Sequence, residues 1–316
     1  MSNLDWFVLI FTLLFIVIYG VWKTRGAQNL HSYLKGDNDA KWWGIGISIM
    51  ATQASAITFL STPGQAYSDG MRFIQFYFGL PIAMIILSVT FLPIFYKLKV
   101  FTAYEYLESR FDLKTRLLAA LLFLLQRGLA AGITIYAPSI ILSTLLGWNL
   151  NWTNIFIGSL VILYTVSGGT KAVTQTQKQQ MAVMMGGMIL AGIIVINMLP
   201  KEISFIDALH IAGKMDKLNL INFDFDLNDR YNFWTGTTAA LFLFLSYFGT
   251  DQSQVQRYLT GKSLSQSRLG LVMNGLLKIP MQFIILFIGV MVFVFYQFNT
   301  PPVFFNKVEL NKVKQS

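Results

Sequence analysis

Residues 42–69 read Trp42-Trp43-Gly44-Ile45-Gly46-Ile47-Ser48-Ile49-Met50-Ala51-Thr52-Gln53-Ala54-Ser55-Ala56-Ile57-Thr58-Phe59-Leu60-Ser61-Thr62-Pro63-Gly64-Gln65-Ala66-Tyr67-Ser68-Asp69. The stretch exceeds the roughly 20 residues a helix needs to cross a hydrocarbon core. Yet small and polar residues fill its middle, Ala51 to Thr58, where a lipid-facing helix carries Leu, Ile and Phe. Unwound backbone at membrane depth survives only when protein or a water-filled cavity surrounds it. There, freed carbonyls can coordinate a cation and half-helix ends can hold ligand groups, with Thr52, Gln53 and Thr58 as the polar side chains in reach. The other reading is an unbroken helix packed closely on its neighbours through small residues. The residues alone leave both open.

Outward from this stretch the chain continues as a polytopic membrane protein. Hydrophobic residues make up 54% of the 316 and charged residues 12%, which suits repeated apolar runs better than a soluble core. Eight segments are candidates to span a membrane: 5–22, 42–69, 74–98, 114–146, 153–168, 178–198, 232–250 and 269–296. The segment 199–231 lies between the sixth and seventh, and 299–316 begins a further loop. The seven tryptophans, Trp6, Trp22, Trp42, Trp43, Trp148, Trp152 and Trp234, all fall at the ends of these segments, where indole rings favour the interface. The first run has no basic region before it and no small-residue cleavage site after it, so it reads as a retained helix and not a signal peptide.

The net charge of +9 does not form a stripe for nucleic acid. Its carriers sit in alternate short connections. These are Lys23, Arg25, Lys35 and Lys41; Lys97, Lys99, Arg110, Lys114 and Arg116; Lys171 and Lys178; and Arg257, Lys262 and Arg268. The opposite short connections offer only Arg72. The positive-inside rule then puts the N-terminus and 199–231 outside.

Two charges fall inside apolar segments. Arg127 lies about fourteen residues into the fourth, roughly 20 Å along at about 1.5 Å per residue. A charge at that depth faces a cavity or a partner, either an anionic substrate or a structural carbonyl or carboxylate. Lys278 lies in the eighth, and its long stem could also reach an interface. Gln75 and Tyr77 stand among Phe73, Phe76 and Phe78, as pocket-lining groups or as interfacial aromatics. Asp251 organises the end of the seventh segment. With no cysteine and with His31 and His210 isolated, the sequence offers no thiolate or histidine metal site and no catalytic triad. It gives no support for an enzyme.

The stretch Phe91-Leu92-Pro93-Ile94-Phe95-Tyr96-Lys97-Leu98-Lys99, with Tyr104-Glu105-Tyr106-Leu107-Glu108-Ser109-Arg110-Phe111, resembles the sodium:solute symporter family. So do Gly132-Ile133-Thr134-Ile135-Tyr136-Ala137-Pro138, which is close to the iodide, monocarboxylate and multivitamin branch, Gly168-Gly169, and Gln256-Arg257-Tyr258-Leu259. The resemblance implies an all-α, leucine-transporter (LeuT) type inverted-repeat fold. In it the first segment is extra, the second to sixth form one repeat, and the seventh and eighth begin another. It therefore favours the binding-site break in 42–69. The chain is expected to be truncated, since three further core helices of the fold have no residues here.

The resemblance also implies roles. Ala51 and Ala54 match positions whose carbonyls supply part of a sodium site, with Na+ as the coupling ion. Lys278 and Tyr247 match positions that touch or gate the sugar in sugar-transporting members. Gln75 and Arg127 resemble the substrate-holding glutamine and arginine of sialic acid transporters. The acidic residue and asparagine of sugar transporters are absent at Tyr77 and Phe244, which disfavours a neutral hexose held in the same way. Thr176-Gln177 stands where many members carry Thr-Asp serving a second sodium ion, so a single coupled sodium is expected. The function implied is sodium-driven import of a small organic solute, acidic sugar or other carboxylate, by a monomer in the plasma membrane, most simply a bacterial inner membrane. The alternatives are a neutral sugar or inositol-like substrate and an incomplete, non-transporting membrane module.

Overall fold

The computed structural model describes residues 39–226 and 228–300, together with 6–12, 14, 15 and 18 of the first apolar segment. The expected helix 5–22 is helical where it is described and otherwise lies outside the described residues, as does nearly all of 299–316. The 42–69 stretch forms two helices, α1 (Trp42–Gln53) and α2 (Ala56–Asp69), bent by 64°. A 3-10 segment, Met71–Tyr77, leads into α3 (Gly79–Val89) and α4 (Phe91–Leu98), which together make one apolar span. The short α5 (Ala103–Arg110) precedes α6 (Leu113–Leu146). Then come α7 (Leu150–Asn197), α8 (Phe205–Lys214), α9 (Phe233–Thr250), α10 (Gln252–Leu259) and α11 (Leu264–Phe298). Among the described residues the only β contact is an isolated bridge between Ala40 and Gly261.

The helix starts are written in capping residues. Asp112, Asn232 and Ser263 accept hydrogen bonds from the backbone N–H groups of Thr115, Thr235 and Gln266, satisfying donors that a first turn leaves orphaned. Ser204 and Asp207 form a capping box that starts α8 inside the 199–231 segment. The Ser204 hydroxyl and N–H hold the exposed Asp207 carboxyl below the usual carboxylate range. Gly70 ends α2 with φ of 78°, a left-handed value that disfavours other residues, and its backbone passes against that of Lys217.

One element departs from expectation. The sequence places a connection between separate helices 153–168 and 178–198, whereas helical structure runs through from Leu150 to Asn197. The segment contains no proline, and Gly168-Gly169 cost a helix only about 1 kcal/mol each relative to alanine. Its two apolar stretches, Leu150–Leu163 and Thr176–Asn197, remain distinct on either side of the polar run Thr174–Gln180.

Helix α11 is the axis of the packing. It touches α1, α2, α3, α7 and α8 and buries residues along almost its whole length. Close approach depends on small residues. A Cβ at Gly79 would lie 2.6 Å from the Thr237 carbonyl oxygen and 2.7 Å from the Leu241 nitrogen, so α3 and α9 meet backbone to backbone there. One core cluster gathers Ile49, Leu80, Met84, Phe244, Phe248 and Leu271, and a second gathers Ala66, Ile74, Leu286 and Val294. Between them a third joins Met50, Ala51 and Ala54 to Met181, Met281 and Ile285, right at the bend.

By length and composition, Met71–Leu98, Leu113–Leu146, Thr176–Asn197 and Leu264–Phe298 can each cross a membrane, and the bent pair is a fifth candidate. Helix α6 buries a single residue fully, Ser139, and exposes Leu117, Leu121, Leu124, Leu129 and Ile133 along its length. Such a helix is at home against lipid tails or other apolar helices.

Candidate functional site

The bend between α1 and α2 has a local cause. Ala54 (ψ 101°) and Ser55 (ψ 173°) are extended. The Ser55 N–H turns to the Thr58 hydroxyl at 3.4 Å, while the Thr58 N–H bonds the Ser55 carbonyl at 3.0 Å. Ser55 and Thr58 thus make a capping box that starts a new helix inside the apolar stretch. In a continuous helix those two N–H groups would bond the carbonyls of Ala51 and Ala54, i to i−4. Both carbonyls are released, and both residues are buried against α11. These are the two positions at which the family resemblance implies main-chain ligation.

One turn before the break, Gln177 of α7 docks on α1. Its Oε1 accepts from the Ser48 hydroxyl at 2.6 Å, and its Nε2 donates to the Thr52 hydroxyl at 2.7 Å. Thr52 in turn donates to the Ser48 carbonyl at 2.8 Å. The circuit is closed, so Thr52 is engaged within the protein. Next to it Gln53 keeps a buried Oε1 with no partner among the described residues.

Lys278 is 1% exposed, and its Nζ has no hydrogen-bond partner among the described residues. Arg127 differs. Its guanidinium pairs with the Asp251 carboxylate and lies 5.4 Å from the centre of the Tyr247 ring. Of the two partners weighed for it, the structure supplies the carboxylate. Asp251 joins α9 to α10, and its other oxygen caps α10 by accepting from the N–H and hydroxyl of Ser253 at 2.9 and 2.6 Å. Tyr247 accepts from Gln254 at 2.8 Å. A cavity of about 520 Å³ adjoins this group, lined by Tyr104, Phe123, Gln126, Tyr247 and Asp251 among others. None of the break residues lines it.

Gln75 is fully buried, and its amide is taken up by the protein. Nε2 donates to the carbonyls of Arg72 and Tyr231 at 3.2 and 2.9 Å, and Oε1 accepts from the Asn222 N–H at 2.9 Å. Arg72 and Asp229 add a 3.2 Å ion pair, and Gln65 of α2 bonds the Tyr231 hydroxyl. The segment 222–231 is thus strapped to the 3-10 turn and to α2. Tyr77 is buried in an aromatic cluster with Phe73, Phe76 and Phe244. Gln75, Tyr77, Arg127 and Lys278 are not brought to one point by any contact described here.

Sequence reasoning missed Asn274 and Gln282, both fully buried on α11 with polar atoms that have no partner among the described residues. The signal was available, because they flank Lys278 at intervals of four.

Apolar helices packed around one broken mid-way, with released carbonyls at the break, define an all-helical membrane protein of the transporter class. Residues 33–307 match the sodium:solute symporter family. The chain belongs to that family. It is 33% identical over 274 residues to sodium-coupled monocarboxylate transporter 1 of Xenopus laevis, covering 85% of this chain and 44% of the relative. It is 32% identical over 296 residues to the human sodium/iodide cotransporter, covering 91% of this chain and 45% of the relative. Among solved structures it superposes with a TM-score of 0.87, at 28% identity, on a Na+-coupled sialic acid symporter in a substrate-bound outward-open state, covering 96% of this chain and 64% of that one. The fold is accordingly of the leucine-transporter type, and the chain spans less than half the length of these curated relatives.

Proposed function

We propose that this chain is the part of a sodium-coupled symporter that carries the first half of the ion site and an anion-binding solute site, importing a small organic carboxylate by alternating access. The observation that carries the solute class is Lys278. An amine with three donors, buried with no hydrogen-bond partner among the described residues, calls for an anionic partner. The named solutes of the relatives, a monocarboxylate, iodide and sialic acid, are all anions. Arg127 already has Asp251, so the carboxylate is assigned to Lys278 in its place. The aromatic surroundings of Tyr77 and Phe244 speak against a neutral sugar, which needs hydrogen-bonding groups there.

Sodium is assigned to the Ala51 and Ala54 carbonyls, with ligands from outside this chain's described residues completing the shell. One sodium is coupled, because the neutral Gln177 amide is consumed by Ser48 and Thr52 and lends no charge to a second ion. The alternating basic connections support an N-terminus on the outer face of the plasma membrane. A monomer is the transporting unit.

The test is uptake of radiolabelled pyruvate into proteoliposomes driven by an inward sodium gradient. Competition by other carboxylates and not by glucose is expected. Competition by glucose alone would move the substrate to the neutral sugars, and sodium-independent flux would remove the symport reading.

A further inference from the structure

Helix α11 carries Asn274, Lys278 and Gln282 four residues apart, an arrangement that sets side chains in a row along one face. They are 0%, 1% and 0% exposed. Asn274 Oδ1, Lys278 Nζ and both amide atoms of Gln282 have no hydrogen-bond partner among the described residues. The single polar contact in the row runs from Asn274 Nδ2 to the Met84 sulfur at 3.6 Å, and a thioether is a weak acceptor. Buried side-chain polar atoms in folded proteins overwhelmingly find partners, so a run of several without one marks a place kept for something else.

The position of the row narrows what that is. On one side of it, Met281 and Ile285 cluster with Ala51 and Ala54 at the break. On the other, Gly275 meets Pro81 and Met84 of α3. The row thus follows the seam between the broken helix and α3. Its demands are specific as well. Lys278 Nζ offers only donors, Asn274 Oδ1 only accepts, and the Gln282 amide does both.

We propose that Asn274 and Gln282 are specificity-determining residues that read hydroxyl groups on the solute, so that the site takes a hydroxylated carboxylate in preference to an unsubstituted one. This rests on the assignment of the solute carboxylate to Lys278. A hydroxyl donates to Asn274 Oδ1 or Gln282 Oε1 and accepts from Gln282 Nε2. An unsubstituted carboxylate brings acceptors alone and leaves the two amide oxygens unmatched. A site built around a substrate hydroxyl rejects the analogue that lacks it, because its own buried groups are then left unpaired.

Glycerate and propionate share a three-carbon acid skeleton and differ by two hydroxyls, so equilibrium binding of each to the purified full-length protein in sodium tests the idea. The wild type is expected to bind glycerate at least about tenfold more tightly than propionate. Gln282→Leu should weaken glycerate and, by removing an amide that propionate leaves unmatched, tighten propionate or hold it, bringing the two ligands to within about twofold, with an unshifted thermal melt as the sign of a folded protein. Gln282→Asn, which keeps an amide, should retain part of the preference, and Lys278→Met should lose both ligands. Equal affinities in the wild type, a preference that survives Gln282→Leu, or equal loss of both ligands in Gln282→Leu would overturn the role of the row while leaving the carboxylate site standing. Failure of the wild type to bind either acid would overturn both.

Discussion

The Arg127 guanidinium on α6 is held by the carboxylate of Asp251, the residue at which α9 ends and α10 begins. The carboxylate uses its second oxygen to cap α10, so a single side chain fixes a helix start and ties it to another helix. Arg127 is about a third exposed and Asp251 is buried, which places the pair between the surface and interior regimes. A double-mutant cycle with Arg127→Ala and Asp251→Ala should give a coupling energy of about 1–3 kcal/mol in thermal melts of the solubilised protein. In transport, Arg127→Ala should lower the maximal rate and leave the half-saturating carboxylate concentration within about twofold of wild type. A large loss of apparent affinity would return the substrate carboxylate to Arg127.

Lys278→Met should separate stability from function. Replacing an unpaired buried amine with an apolar side chain of similar length is expected to be neutral or to stabilise by about 1–4 kcal/mol. Carboxylate uptake should meanwhile fall below a tenth of wild type. Melting and uptake measured on one preparation decide it, and a variant that melts early would make Lys278 a structural residue.

Gln177→Asp should alter ion stoichiometry. Aspartate can still accept from Ser48 but cannot donate to Thr52, and its charge invites a cation. The sodium dependence of uptake is expected to follow a Hill coefficient near one in the wild type and to steepen in the variant. A wild-type coefficient near two would refute the single-ion assignment.

Gly79→Ala and Gly187→Ala offer a packing contrast. The first drives a methyl into the backbone of α9 and should cost about 1–3 kcal/mol. The second meets nothing within 4 Å on α7 and should be neutral or gain up to about 1 kcal/mol in helix propensity.

The cap of α8 carries a pH dependence. The Asp207 carboxyl sits below its usual range because Ser204 donates to it, so the unfolded state binds its proton more readily than the folded one. The stability this adds is complete above the unfolded carboxylate pKa and is lost as pH falls through the lowered, folded value. Amide exchange in 205–214 should therefore speed up selectively in acid, and Asp207→Asn should flatten that response.

Much of this architecture was legible in apolar runs and tryptophan positions, since hydrocarbon thickness fixes segment length. The break was legible only in part: the small and polar run Ala51 to Thr58 admits either a break or a close-packed helix, the family resemblance favours the break, and the Ser55–Thr58 capping box makes it. The partners were harder. Arg127 demanded a counter-charge, but only the packing of α6 on the α9–α10 junction showed that Asp251 supplies it across 124 residues of sequence. Gln75 looked free to meet a solute because its ties, Asn222 and Tyr231, lie in a segment with no apolar period to place it. The continuity of α7 was missed because paired glycines and a glutamine-rich run resemble a connection, although nothing in them forbids helical dihedrals.

The strap from Gln75 to Asn222 and Tyr231 has a mechanical meaning. It welds the entry of the span Met71–Leu98 to the entry of α9, while Gln65 ties the far half of the broken helix to the same corner. Three helix ends then travel together as one stiff bracket. Any change of access must be taken up elsewhere, by flexing at Ala54-Ser55 or by sliding of α6, which buries only Ser139 fully.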